Sequence, residues 1–174
     1  MADKLSINPG KTAIISMDWQ KRQLSNFTEA FQEEIMARAN TVLAKTRQKK
    51  IMVINVEVRR GERTPETEIH PAMVPQPGEA LLTKSRVGPF STTNLDEILK
   101  NKGIETLVLM GLRTSGCILS TVRWAADIDY QLVVISDCCA DQDDEVHRVL
   151  MEKVLPWQAT VVTSQDFLQA LDGI

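Results

Sequence analysis

No apolar run in this sequence approaches the roughly 20 residues that span a bilayer, and the amino-terminal MADKLSINPG lacks the apolar core of a secretion signal. No membrane partner is expected. Cysteine is scarce: Cys117 stands alone, Cys138 and Cys139 are adjacent, and no CxxC pair or disulfide framework can be built from them. Reduced thiols in the cytoplasm are expected, with Cys138 and Cys139 as buried or helix-packing side chains rather than a redox pair. Histidine is scarcer still. His70 and His147 lie far apart without ligating companions, so both read as surface or loop residues and no metal is expected. The few aromatics are not interleaved with a basic stripe, and 20 basic against 23 acidic residues give a net charge of −3. That balance argues against a nucleic-acid partner, and RQKK at 47–50 reads as a solvated helix end.

Internal repeats and low-complexity tracts are also missing. What is present is 174 residues, 43% of them apolar, enough for one domain over 1–174 with a substantial core. Short apolar runs alternate with amphipathic segments. TAIISM (12–17), IMVINVEV (51–58), EALLTK (79–84), TLVLM (106–110), QLVVIS (131–136) and ATVVT (159–163) predict six strands. The first is followed by a polar loop, WQKRQLSN. A helix capped by Thr28 then carries Phe31, Ile35, Ala39, Val42 and Leu43 on one buried face to about Arg47. Further helices are predicted from Thr93, paired with Asp96 in a capping-box variant and closed by Gly103, over ILSTVRWAADI, from Asp143 or Asp144 to Leu155, and from Ser164. The alternation predicts an α/β fold with a mainly parallel sheet and helices on both faces. Residues 59–78, rich in Pro, Gly and charge, are too long for an ordinary connector and suit a functional loop.

The stretch TLVLMGLRTSGCILST places Cys117 in the turn between a buried strand and a helix, where α/β folds put ligands and chemistry. A helix amino terminus favours a thiolate and offers backbone N–H groups to an anion. Two other strands end in reactive side chains, Asp18 after the first and Lys84 after the third. Parallel strand ends share one edge, so acid, cation and thiol make a candidate nucleophilic constellation, while each taken singly suits a loop, solvated or core residue.

MDWQ at 17–20, LLTKSRVGPFSTT at 81–93 and GLRTSGCILSTVRWAADIDYQLVVISDCCA at 111–140 resemble the isochorismatase-like cysteine hydrolases in order and approximate spacing. The resemblance implies a six-stranded, Rossmann-like three-layer sandwich and a catalytic triad of Asp18, Lys84 and Cys117. It also implies a non-proline cis bond between Leu112 and Arg113, and an oxyanion hole from the N–H groups of Arg113 and Cys117. In that scheme Lys84 and the helix start stabilise the Cys117 thiolate, Asp18 moves the proton, and no cofactor is needed. Family members are commonly dimers or tetramers, so a homo-oligomer acting on a small molecule is expected.

Departures from the family narrow the substrate. The metal-binding Asp-x-His with a second His found in nicotinamidases is absent from EVRRGERTPETEIHP, which has His70 alone, and the first motif continues with Lys21–Leu24 in place of a frequent Asp-Phe. Trp19, Phe90 and Leu112 are expected to wall the substrate pocket. Arg86, Arg113 and Arg59 are each candidates for binding a carboxylate in a bidentate pair. Three functions stay open: a cysteine amidohydrolase on a small amide, ureide or carbamoyl compound, which the intact triad favours; a vinyl ether hydrolase of the isochorismatase kind, which would need Asp18 but no thiol; and a non-catalytic binding member of the fold.

Overall fold

A computed structural model describes residues 5–174; residues 1–4 of the polar amino terminus lie outside them. Six strands form one sheet in the order β3-β2-β1-β4-β5-β6: β1 Thr12–Met17, β2 Met52–Val58, β3 Ala80–Lys84, β4 Thr106–Leu112, β5 Gln131–Ala140 and β6 Thr160–Val162. Every pairing is parallel. The chain starts in the middle, moves outward through β2 and β3, then returns to β4 and moves outward the other way. Right-handed crossovers run in opposite directions from the centre therefore place helices on both faces, the Rossmann-like three-layer arrangement.

The central strands are buried over nearly their whole length, which explains why TAIISM reads as a continuous apolar run instead of an alternating one. Helix α2, Glu29–Gln48, starts at Thr28, whose hydroxyl accepts from Phe31 N–H, and buries Ile35, Met36, Ala39, Val42 and Leu43. Phe31, expected on that face, is instead 36% exposed and stacks on Phe27 with ring centroids 5.1 Å apart. The polar segment after β1 contains a short helix, α1 Lys21–Leu24. Helix α3, Leu95–Asn101, has Asn94 at its cap position. Thr93 Oγ1 accepts from Leu95 N–H at 3.2 Å, but Asp96 turns to Lys100 and Tyr130, so the expected reciprocal box does not form. Helices α4 Leu119–Asp127, α5 Asp144–Val149 and α6 Ser164–Asp172 complete the layers. Asp143 caps α5, while the residue capping α6 is Thr163, in a box with Asp166, and Ser164 opens the helix proper.

Strand β5 runs four residues past its expected end at Ser136, because its register against β4 jumps: Leu109 faces Val134, and Gly111 faces Cys139. Asp137 in the displaced segment accepts from the N–H and hydroxyl of Ser164 at 2.7 Å, fastening the start of α6. Cys138 and Cys139 are buried free thiols, and burial pushes Cys138 up to about 12. No helix among the described residues is long and apolar enough to cross a membrane.

One glycine is dictated by the packing of the centre. Gly111 has φ +133°, and a Cβ there would lie 2.0 Å from the Met17 carbonyl oxygen. Gly111→Ala must therefore push β4 from β1 where Asp18 leaves the sheet. A loss of about 3 kcal/mol or more is expected in urea denaturation. An unchanged midpoint would mean that the two strands separate at no cost.

Candidate active site

Strand order reverses between β1 and β4, the place where open α/β sheets leave a crevice at their carboxyl ends. Asp18 follows the last residue of β1 in the left-handed region, φ +61°, which Asp tolerates better than most side chains, and its N–H still donates to Val56 carbonyl at 2.8 Å. Cys117 sits in a wide turn, Thr114–Ile118, that leaves β4, bends at Gly116 (φ −97°, ψ −107°) and leads into α4. Lys84 ends β3, two strands from β1, so its side chain must cross about 10 Å of sheet edge. It does so buried. Its Nζ donates to Asp18 Oδ2 at 2.5 Å and to Val87 carbonyl at 2.6 Å, and both side chains of the pair are at most 6% exposed.

The other acceptor of Asp18, Oδ1, is buried and has no hydrogen-bond partner among the described residues. Cys117 supplies the neighbouring polar group. Its thiol donates to Leu112 carbonyl at 3.0 Å. Burial raises the carboxyl of Asp18 above the ordinary aspartate range, against the opposing pull of Lys84. Burial, then the charge of Asp18, raises the Cys117 thiol well above the usual thiol range, and Lys84 offsets this only in part. The direction of that shift favours the protonated thiol of Cys117.

A cavity of about 600 Å³ opens over these three residues. Leu112, Arg86 and Arg113 line it, and the bond between Leu112 and Arg113 is cis. Trp19 and Phe90 do not line it. Trp19 is 3% exposed and turned into the core, its indole N–H donating to Ser16 Oγ at 2.9 Å. Phe90 stacks against Trp124 and packs on Tyr130, with centroids 6.3 Å away in each case. Flanking a reactive residue in sequence does not fix the direction of a side chain, and here both aromatics point into packing. Arg59 also lies elsewhere: it pairs at 3.3 Å with Glu57, a buried carboxylate that Arg63 and Thr83 hold as well.

Three further residues support the site without having stood out in the sequence. Gln20 Nε2 donates to Val58 carbonyl at 2.9 Å and Thr67 carbonyl at 2.5 Å, and its Oε1 accepts from Val58 N–H at 2.8 Å. With His70 N–H donating to Trp19 carbonyl and Lys21 N–H to Glu68 carbonyl, this fastens the 59–78 loop over the turn that bears Asp18. Asp141 accepts from Ser115 N–H at 2.7 Å, steadying the turn around Cys117. His147 Nδ1 and Thr114 Oγ1, the first residue of that turn, lie 2.7 Å apart, and half-burial lowers the His147 pKa. His147 is thus no plain surface residue. His70 fits the reading of a loop residue, its Nδ1 accepting from Ala72 N–H. Among the described residues, no group of three or more His, Cys, Asp or Glu is arranged to hold a metal ion. Gln20 had a readable signal, a buried amide two residues beyond a strand-end acid in MDWQ; the other two contacts cross some 30 residues of chain and had none.

A family model for the isochorismatase domain matches residues 12–166. The chain belongs to the isochorismatase family. Among curated relatives, it is 33% identical over 100 residues to a maleamate amidohydrolase of Pseudomonas putida, covering 58% of this chain and 47% of that protein. It is 37% identical over 93 residues to a ureidoacrylate amidohydrolase of Agrobacterium fabrum, covering 50% and 40%. The matched segments span about half or less of those relatives. The fold is shared along the whole length with the crystal structure of a cysteine hydrolase from Pseudomonas syringae, with a TM-score of 0.88 at 21% identity and coverage of 97% and 96%.

Proposed function

We propose that the protein is a cysteine-dependent hydrolase of a non-peptide carbon–nitrogen bond in a small amide, ureide or carbamoyl compound, with Asp18, Lys84 and Cys117 as its triad. The observation that carries this is the buried, unpartnered Oδ1 of Asp18, a proton acceptor beside the one thiol that opens on the cavity. The amidohydrolases among its relatives support the same reading.

The chemistry follows from a thiol that starts protonated. Asp18 takes the proton as Sγ attacks the carbonyl carbon, so charge develops only when the substrate is in place. The new S–C bond sends the carbonyl π pair to oxygen. The N–H groups of Arg113 and Cys117 receive that oxyanion, a contribution of roughly 2.7 to 4 kcal/mol per donor where it has been tested in other enzymes. Collapse breaks the C–N bond, and Asp18 returns the proton to the leaving nitrogen. Water then attacks the thioester, giving its proton to Asp18, and the thiol is regenerated. Lys84 keeps Asp18 ionised against its burial and fixes Oδ2, leaving Oδ1 for the proton. Three free thiols suit a reducing cytoplasm, and exposed Trp124 and Trp157 suit a homo-oligomer.

Ammonia release from a panel of small amides, ureides and carbamoyl acids tests the activity. Release that stops when Cys117 alone is alkylated supports it; a silent panel, with Cys117 no more reactive than Cys138 or Cys139, leaves a binding protein. The pH profile has a defined sign. Asp18 must be ionised to accept a proton and its pKa is raised, so kcat/KM should climb with pH through a value above the roughly 3.9 of a free aspartate. An acid limb at or below that value would contradict the burial of the base.

A further inference from the structure

Arginines without an acid are concentrated at the active-site cavity. The sequence has ten arginines, and among the described residues five of them, Arg38, Arg47, Arg59, Arg63 and Arg148, are paired with a carboxylate. Of the other five, Arg22, Arg60, Arg86 and Arg113 all line the cavity over Cys117. Two carboxylates share that lining: Asp18, which Lys84 already neutralises, and Glu62. A protein of net charge −3 thus gathers four guanidinium groups against a single uncommitted acid around a space of about 600 Å³.

Arg60 is the best oriented of the four. Its Nε donates to Ser85 carbonyl at 3.0 Å, which anchors the guanidinium beside the end of β3 and leaves both terminal nitrogens for a ligand. A planar pair of N–H donors matches the two oxygens of a carboxylate, and a tether removes part of the ordering cost that binding would otherwise carry. Arg113 is steadied in the same way, with Nη1 donating to Gln142 Oε1 at 2.6 Å. Strand alternation explains the sorting of the neighbouring pair: Arg59 lies on the side of Glu57 and bonds to it, while Arg60 faces the other way, into the cavity.

We infer that the substrate carries a carboxylate in addition to the carbon–nitrogen bond that is cleaved, and that Arg60 is its principal anchor at the cavity wall. The inference rests on the amidohydrolase reading of the same site and adds the substrate class: small acid amides, ureido acids or carbamoyl amino acids rather than neutral amides.

Succinamate and succinamide test it, since they present the same primary amide with and without a carboxylate. The wild-type enzyme should show kcat/KM about 10- to 100-fold higher for succinamate, and Arg60→Gln should erase that preference through KM, with a much smaller loss on succinamide. Arg60→Lys should restore only part of it, because a point charge lacks the fork. Equal kcat/KM for the two compounds, or an equal loss on both in Arg60→Gln, overturns the inference. If neither is hydrolysed, calorimetry with the Cys117→Ala protein separates the two readings. Tighter binding of succinamate that Arg60→Gln abolishes retains the anion site while the amidohydrolase reading fails on these amides. Indifference to the carboxylate, or no binding of either compound, overturns the inference.

Discussion

Cys117→Ala is expected to lower amide hydrolysis by roughly 10⁴-fold or more, with a fold and thermal transition close to wild type. The size follows from the scheme: without sulfur no thioester forms, and Asp18 and the turn amides can only assist direct attack by water, which costs most of the acceleration. The small structural effect follows from position. The thiol opens on a cavity, and apart from its weak bond to Leu112 carbonyl the contacts that hold the turn come from Asp141 and from Thr114 with His147. Loss of the side chain should cost about 1 kcal/mol of stability. Isochorismate included beside the amides makes the variant diagnostic, because turnover that survives the mutation identifies the vinyl ether chemistry, which depends on Asp18 and not on the thiol.

Lys84→Met should be damaging in a different way. Methionine keeps much of the volume but leaves Asp18 without its counter-ion at 4% exposure, and breaking a buried pair from one side costs about 3 to 5 kcal/mol. The penalty should shrink as pH falls. A carboxyl already raised by burial rises further when Lys84 is removed, so it protonates more readily in the folded than in the unfolded chain, and a neutral Asp18 no longer needs a partner. Combining Lys84→Met with Asp18→Asn should recover much of the lost stability, since Asn is neutral and tolerates φ +61°, but it should recover no activity. Denaturant midpoints of the two single variants and the double variant at several pH values measure all of this. A Lys84→Met protein as stable as wild type at neutral pH would show that the pair is solvated in solution.

Much of this site was legible because its three residues end strands, and strands declare themselves as short apolar runs. Asp18 follows such a run, Lys84 ends one and Cys117 lies in the turn after a third, and parallel pairing brings those ends to one edge. The family resemblance added the bond between Leu112 and Arg113, which is cis, a feature no propensity encodes. What the sequence did not disclose are quantities fixed by the third dimension. Trp19 and Phe90 flank the reactive residues but face the core, because rotamer and strand parity decide direction. The depth at which Cys117 is buried, which pushes its thiol upward, is invisible in one dimension. The tail of β5 past Ser136 depends on a register jump against β4, and the bond from His147 to Thr114 spans 33 residues. Arg60 was readable in principle, since alternation separates it from Arg59 once Glu57 is known to be buried.

The most direct test of Cys117 as nucleophile is to quench the enzyme in acid during turnover of a hydrolysed amide and weigh the intact protein. A mass increase equal to the acyl part of the substrate, located on the peptide that contains Cys117 and absent from Cys117→Ala, is the predicted result. Sustained hydrolysis with no adduct, at a rate that survives Cys117→Ala, would show that the bond is broken without a thioester.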